Sequence, residues 1–273
     1  MIIKRYFSTL NLKRVKDDFK FLVKLINSSY GEFDFAIRDN SFNIYYKGNS
    51  LAKVEPKKND TYSVKIHKKF FDESKANNPT YYSSKKTTAN YIVVVLNKKQ
   101  LRPFFQRVHL NNFASLIKKV NYGEEINFEQ MLITDNQNRS DFIYIDRQVN
   151  IKGKMLDLLA LKQVSGNKFK FLTIEVKLGN NPDLKDYVAS QLDGYVNHIK
   201  DHFDEYKYCY EKQFEQKREL GLLEELMFNT IEIVNPVEGV VVVGGYSGLA
   251  KQNIKILKDS YPDIDVIHFT HEI

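Results

Sequence analysis

A single cysteine, Cys209, stands in a chain of 273 residues. No intrachain disulfide can form, so stability has to come from a buried core, and a cytoplasmic setting is the default expectation. Long apolar runs are also missing. The densest, Val240–Val243, is brief and bounded by Gly239 and Gly244. Spanning a bilayer takes about 20 apolar residues, so no membrane partner is expected. The opening Met1-Ile2-Ile3-Lys4-Arg5 lacks the apolar centre of a secretory signal. The basic, acid-free stretch up to Asp17 mimics an organelle presequence but is not read as one. There is no internal repeat and no low-complexity tract.

Acid is scarce early in the chain. Residues 1–100 hold 20 Lys and Arg against 9 Asp and Glu, net +11, whereas the remainder holds 21 against 25, net −4. A biased Lys-, Asn-, Tyr- and Ile-rich composition accounts for part of this. The segregation nonetheless favours a front half that grips a polyanion, with lysines tracking a backbone and Tyr45, Tyr46, Tyr62, Tyr81 and Tyr82 stacking on bases. The 42% hydrophobic content, with 17 Tyr and 19 Phe, indicates a folded globule.

Local patterns organise that front half. An amphipathic helix is expected near Asp17–Asn27, then alternating strands at Phe33–Ile37, Phe42–Tyr46 and Thr61–Ile66, joined by turns at Asp39-Asn40 and Lys47-Gly48-Asn49. The polar stretch Asp72–Asn90 reads as a long loop or flap, and Tyr91–Leu96 as a further strand. These elements make a small basic α+β domain over residues 1–100. A boundary is expected near Leu101-Arg102-Pro103, where proline follows the strand.

The chemistry concentrates between residues 155 and 195. Met155–Leu161 is apolar on both faces, Ser165-Gly166-Asn167 is turn chemistry, and Phe169–Leu178 is a second apolar, β-branched run. If the loop is Ser165–Asn167, Val164 pairs with Lys168 and Asp157 falls directly opposite Glu175. Opposed residues share a face, with Cβ atoms about 4.5–5.5 Å apart, and Lys177 joins them by strand alternation. A two-residue Gly166-Asn167 turn would shift the pairing by one and put the two carboxylates on opposite faces.

Two opposed carboxylates in an apolar run repel each other and lose hydration that one lysine replaces only in part. A divalent cation resolves the conflict, since Mg²⁺ is held by one or two carboxylates and keeps positions for water and phosphate oxygens. Lys177 could orient or deprotonate an attacking water. An E-x-K triplet alone is usually a solvated edge with a surface ion pair. Here a second segment follows. Asn181-Pro182-Asp183 has the grammar of a helix start, the helix buries Leu184, Val188, Leu192 and Ile199, and Gln191 and Tyr195 share one neighbouring face.

Asp157 on one strand, Glu175-Val176-Lys177 on the next and Gln191-Leu192-Asp193-Gly194-Tyr195 on a helix resemble the PD-(D/E)XK nuclease superfamily, in particular its RecB-like branch with a Q-x-x-x-Y helix. The resemblance spans residues 110–273, and Leu156 stands where the family often has proline. It implies an α/β fold: a C-terminal restriction-endonuclease-like core over residues 101–273, with a central mixed sheet flanked by helices. Its parts would be an amphipathic segment around Phe113–Leu132, strand Phe142–Ile151, the two motif strands, the helix, and a strand at Val237–Val243. It further implies that Asp157, Glu175 and the Val176 carbonyl bind Mg²⁺, with Mn²⁺ substituting. Glu129 would join them from the first helix, with Glu125 as the alternative. Lys177 would serve the nucleophilic water, and Gln191 and Tyr195 would support the site. The implied reaction is hydrolysis of a phosphodiester, most naturally in DNA; the alternative is a catalytically inactive nucleic-acid-binding module on the same fold. Duplex cleavage needs two cuts, which keeps a homodimer open.

Other constellations rank low. His198 and His202 are four apart on a helix and could share a metal with Cys209, but Ile199 stands where a zinc-protease motif needs glutamate. Gly244-Gly245-Tyr246-Ser247-Gly248 has neither the dinucleotide-binding spacing nor that of a nucleophile elbow, and a plain strand-to-helix turn is expected. The charged region Asp201–Met227 reads as a long helix that could support dimer contacts, though solvent exposure of its polar face explains it as well.

Overall fold

A computed structural model describes residues 3–71, 81–120, 123–137 and 139–270. The chain is a mixed α/β protein of two compact units, Met1–Gly123 with Lys212–Glu224, and Glu124–Glu211 with Glu225–Ile273.

In the first unit, helix α1 (Thr9–Asn27) starts where the Ser8 hydroxyl accepts the Asn11 N–H, and it buries Leu12, Val15, Phe19, Leu22, Val23 and Ile26. That spacing is one apolar stripe of a 3.6-residue repeat. The helix begins eight residues before the expected Asp17. Strands β1 (Phe33–Arg38), β2 (Ser41–Tyr46), β3 (Asn49–Pro56), β4 (Thr61–His67), β5 (Ser84–Thr87) and β6 (Tyr91–Asn97) form one sheet in the order β1-β2-β3-β4-β6-β5. Strand β3 was not expected. Its exposed Lys53 and Glu55 alternate with buried Ala52, Val54 and Pro56, a half-buried pattern that charge and proline disguise.

Three expectations change here. Tyr45, Tyr46 and Tyr62 are buried, and Tyr62 donates its hydroxyl to Asp18, so none of the three presents a face to a base. Of the polar stretch, residues 72–80 lie outside the described residues, and Ser84–Thr87 is an edge strand paired with β6. The boundary near Pro103 gives way to helix α2 (Lys98–Phe104), capped by Asn97 and Gln100, whose Leu101 and Phe104 enter the first unit's core. The units divide at Gly123, where the expected 113–132 segment breaks into α3 (Arg107–Val120) and α4 (Glu124–Asp135).

The second unit runs α4, β7 (Phe142–Ile151), β8 (Lys154–Ser165), β9 (Lys168–Leu178), α5 (Tyr187–Asp201), α6 (Phe203–Glu219), β10 (Glu232–Ile233), β11 (Glu238–Gly244), α7 (Ser247–Ser260) and β12 (Val266–Phe269). The last part of α6 belongs to the first unit. The sheet order is β12-β11-β9-β8-β7, with β7, β8 and β9 an antiparallel meander and β11 parallel to β9. Val240 and Val242 pack with Leu132 and Ile133 of α4, while Val241 and Val243 pack with Val188 and Leu192 of α5 and Ala250 and Leu257 of α7. Burial on both faces explains the unbroken valine run. Asn181 caps a short 3₁₀ turn at Pro182–Lys185, and Asp186 caps α5, so the expected single helix start is two consecutive ones. Among the described residues, no helix is long and apolar enough to cross a membrane.

The β8–β9 hairpin closes in a way the sequence left open. The loop is the two-residue turn Gly166-Asn167, with Ser165 opposite Lys168 and Gly166 at φ +50°. That turn alone would misplace Asp157 by one residue. An extra residue, Val164, bulges between Gln163 and Ser165 and returns the register to Leu158 opposite Ile174. A bulge inserts one unpaired residue and so cancels a one-residue slip. Continued by one step, this register puts Asp157 opposite Glu175.

Deleting Val164 should therefore leave a regular hairpin with Ser165 opposite Lys168, Gln163 opposite Phe169 and Asp157 unmoved. Melting temperature and near-ultraviolet circular dichroism should match the parent closely. Gly166→Val, a β-branched residue forced to positive φ, should cost about 1–2 kcal/mol in denaturant unfolding.

Candidate active site

Asp157, Glu175 and Lys177 meet at the end of the β8–β9 ladder. The Asp157 Oδ2 accepts the Val176 N–H at 2.9 Å, so the carboxylate reaches across to the neighbouring strand's backbone. Lys177 Nζ donates to Glu175 Oε1 at 2.7 Å. Glu175 and Lys177 are both buried, at 1% and 5% exposure, which rules out a solvated surface ion pair. The other carboxylate oxygen, Glu175 Oε2, is buried and has no hydrogen-bond partner. A buried acceptor without a donor is costly and marks a group whose partner is of another kind.

Helix α4 brings two more acids. Glu125 Oε2 accepts the Leu178 N–H at 3.3 Å and the Asn181 Nδ2 at 3.2 Å, tying the helix to the end of β9. Glu129 is buried and accepts from Arg147 at 3.3 Å and Gln148 at 3.2 Å. Arg147 also donates to Gln130 at 2.6 Å. The docking of α4 depends on Gly244, because a Cβ there would collide with the ring of Phe128. The Gly244-Gly245 segment is the expected strand-to-helix turn, with Tyr246 at φ +50° before α7.

The acids respond to their confinement. Burial, opposed by Lys177, pushes Asp157 up to about 6. Burial and the Asp157 charge push Glu175 up to about 7. Burial and Asp157 push Glu129 up to about 8 despite Arg147. Burial pulls the Lys177 ammonium down, but Glu175, Asp157 and Glu125 outweigh it and leave it above its ordinary value. In the chain alone Lys177 is a charged donor, suited to orienting water or a phosphate oxygen.

Gln191 and Tyr195 lie on the α5 side of this cluster. Tyr195 is buried and donates to the Met155 carbonyl at 3.0 Å, close to the start of β8. Burial first, and then Glu175 and Asp157, raise its hydroxyl pKa, while a hydrogen bond from Gln191 lowers it. The pair braces the strand that carries Asp157.

A divalent cation fits the chemistry of this donor set. Asp157 acts against Glu175 and Glu129, and Glu125 against Asp157 and Glu175, with Lys177 and Arg147 as the opposing charges, and Glu175 offers an oxygen without a hydrogen-bond partner among the described residues. The expected third carboxylate ligand does not close on the pair. Among the described residues, no group of three or more His, Cys, Asp or Glu side chains is arranged to hold a metal. Glu129 is turned to Arg147 and Gln148, and Glu125 to the end of β9, each by its hydrogen bonds. The cation would thus have two carboxylates and backbone or solvent oxygens, a set suited to Mg²⁺. The His198 and His202 rings lie 4.6 Å apart, tilted by 51°, and among the described residues neither they nor buried Cys209 belong to a group of three or more possible metal ligands.

Sequence reasoning missed Arg147 and Asn181 as organisers of the acids. The sequence signal for Arg147 was a cation in the middle of the strand Phe142–Ile151; its burial shows only in the structure.

The sign of the pH dependence follows from the raised carboxylates. Their contribution is intact below the unfolded carboxylate pKa near 4 and is lost as pH rises through about 6 to 8, each tenfold gain in proton affinity on folding being worth roughly 1.4 kcal/mol. In EDTA the melting temperature should fall between pH 5.5 and 8.5, and Mg²⁺ should restore it at the alkaline end. Glu175→Gln should flatten the pH dependence and abolish the Mg²⁺ gain. Gly244→Val should cost about 1–3 kcal/mol by overpacking Phe128.

No protein-family model matches the chain, and no curated protein matches it. Among solved structures, the crystal structure of a repair endonuclease from Pyrococcus abyssi aligns over 94% of this chain and 96% of that one, at 13% identity and a TM-score of 0.29. An alignment that distant fixes no topology and transfers no residue.

Proposed function

We propose that the chain is a metal-dependent nuclease of the PD-(D/E)XK type, hydrolysing phosphodiester bonds in DNA with Mg²⁺ as cofactor. The observation that carries this reading is the buried Asp157–Glu175–Lys177 cluster with an orphan Glu175 oxygen. The order of the second unit, helix, three-stranded meander, helix and parallel strand, is compatible with a restriction-endonuclease-like core. Asp157 and Glu175 would hold the cation, which would supply Lewis-acid polarisation of the phosphate and a lowered pKa for water. Lys177, fixed by Glu175, donates to an oxygen of the attacking water or the scissile phosphate. The Val176 N–H fixes the Asp157 carboxylate, and Tyr195 holds β8 through Met155. Glu125 and Glu129 add negative potential and keep α4 in register with β9.

The test is incubation of the purified protein with circular single-stranded, circular duplex and linear DNA in Mg²⁺ or Mn²⁺. Cleavage should vanish in EDTA and fall about 10²–10⁴-fold in Lys177→Ala and Glu175→Gln. Cleavage that survives both substitutions refutes the assignment. DNA binding without cleavage in any metal supports instead the inactive binding module.

A further inference from the structure

The first unit carries a separate basic groove that the cluster above does not use. It has a volume of about 490 Å³ and lies on the sheet face opposite the core, lined in part by Asn43, Lys53, Lys65, His67, Lys69 and Tyr91. Among the described residues, no carboxylate lines it. Among the described residues, Lys53, Lys65 and Lys69 are exposed, and no ion pair engages them.

The register makes the arrangement more than a lysine-rich surface. Lys53 of β3 stands directly opposite Lys65 of β4, with Asn43 of β2 opposite Lys53 on the other side. Like charges directly opposed on neighbouring strands destabilise a sheet. The Lys65 ammonium is also held in place, 3.9 Å from the centre of the Tyr91 ring. His67 packs edge-on to Tyr91 at 5.4 Å, and its Nδ1 accepts the Lys69 N–H at 3.3 Å, joining the end of β4 to the turn that carries Lys69. Three cations are thus positioned around one concavity, with no counter-charge among the described residues.

We propose that this groove binds phosphates of a nucleic-acid strand. The same cross-strand row continues from Lys65 through Val93 of β6 to Lys86 of β5. Two strand spacings add about 10 Å of track beyond the groove, more than a single phosphate covers and close to the reach of a second nucleotide. That extension favours a strand over a mononucleotide. The lysines give position on the backbone and no base identity. The choice of nucleic acid as the polyanion rests on the nuclease reading; the anion site does not.

The test is fluorescence anisotropy of the full chain in EDTA with a short labelled single-stranded oligodeoxynucleotide, titrated across salt. Lys53→Gln/Lys65→Gln should weaken binding at least tenfold and reduce the slope of log affinity against log salt by about 1 per lysine removed. The same variant should melt at or above the parent temperature without DNA, since it relieves like-charge opposition, so loss of binding is not loss of fold. Lys255→Gln/Lys258→Gln, the same change of charge on exposed lysines of α7, should bind as the parent does. Failure of cleavage with groove-dependent binding retained would sink the nuclease reading and leave the groove standing. Strand binding unchanged by the groove variant, or no strand binding at all, overturns the proposal. Thermal shift by inorganic phosphate or AMP, with no tighter binding of the strand, also overturns it.

Discussion

The second unit is organised around an unsettled charge. Asp157 and Glu175 are set against each other by the β8–β9 register, Glu125 and Glu129 add two acids from α4, and Lys177 and Arg147 are the charges that oppose them. Every local feature near the cluster limits how the acids can relax. The Val176 N–H pins Asp157, Lys177 pins one oxygen of Glu175, and Arg147 and Gln148 pin Glu129. A site built this way stores unfavourable electrostatics in a rigid frame. Under the nuclease reading proposed above, such preorganisation would lower the cost of binding a cation and a phosphate there.

The frame itself is ordinary protein physics. The strands β9 and β11 are covered on both faces by apolar packing, and Glu175 and Lys177 of β9 stand opposite Val241 and Val243 of β11, on the face that α5 covers. Gly244 matters there because it lets Phe128, and with it the acids of α4, come close to β11. In the first unit the balance is reversed: Lys53, Lys65 and Lys69 are exposed on the sheet and its end, while aromatic residues form the core. One unit concentrates buried acid and the other exposed base.

Much of this was legible in residue order. The strand Phe142–Ile151 is bounded in the sequence as in the fold, the buried stripe Leu184, Val188, Leu192 and Ile199 is as its spacing says, and the valine run is a two-face-buried strand. Other features were hidden because short-range pattern does not encode them. Strand β3 carries charge and a proline on an otherwise alternating segment. Tyr45, Tyr46 and Tyr62 read as surface aromatics beside lysines, yet the core claimed them, since ring burial outweighs neighbouring charge.

The sequence by itself determined the chemistry available: which acids, lysine, glutamine and tyrosine lie on which strands and helix, because apolar periodicity and turn residues act over a few positions. Only the tertiary structure decided which of them meet. The bulge at Val164 that offsets the two-residue turn, the engagement of Glu129 by Arg147, and the opposition of Lys53 to Lys65 all depend on strand register and helix docking. These are set by the packing of whole faces across the sheet, a long-range competition that no local window of residues contains.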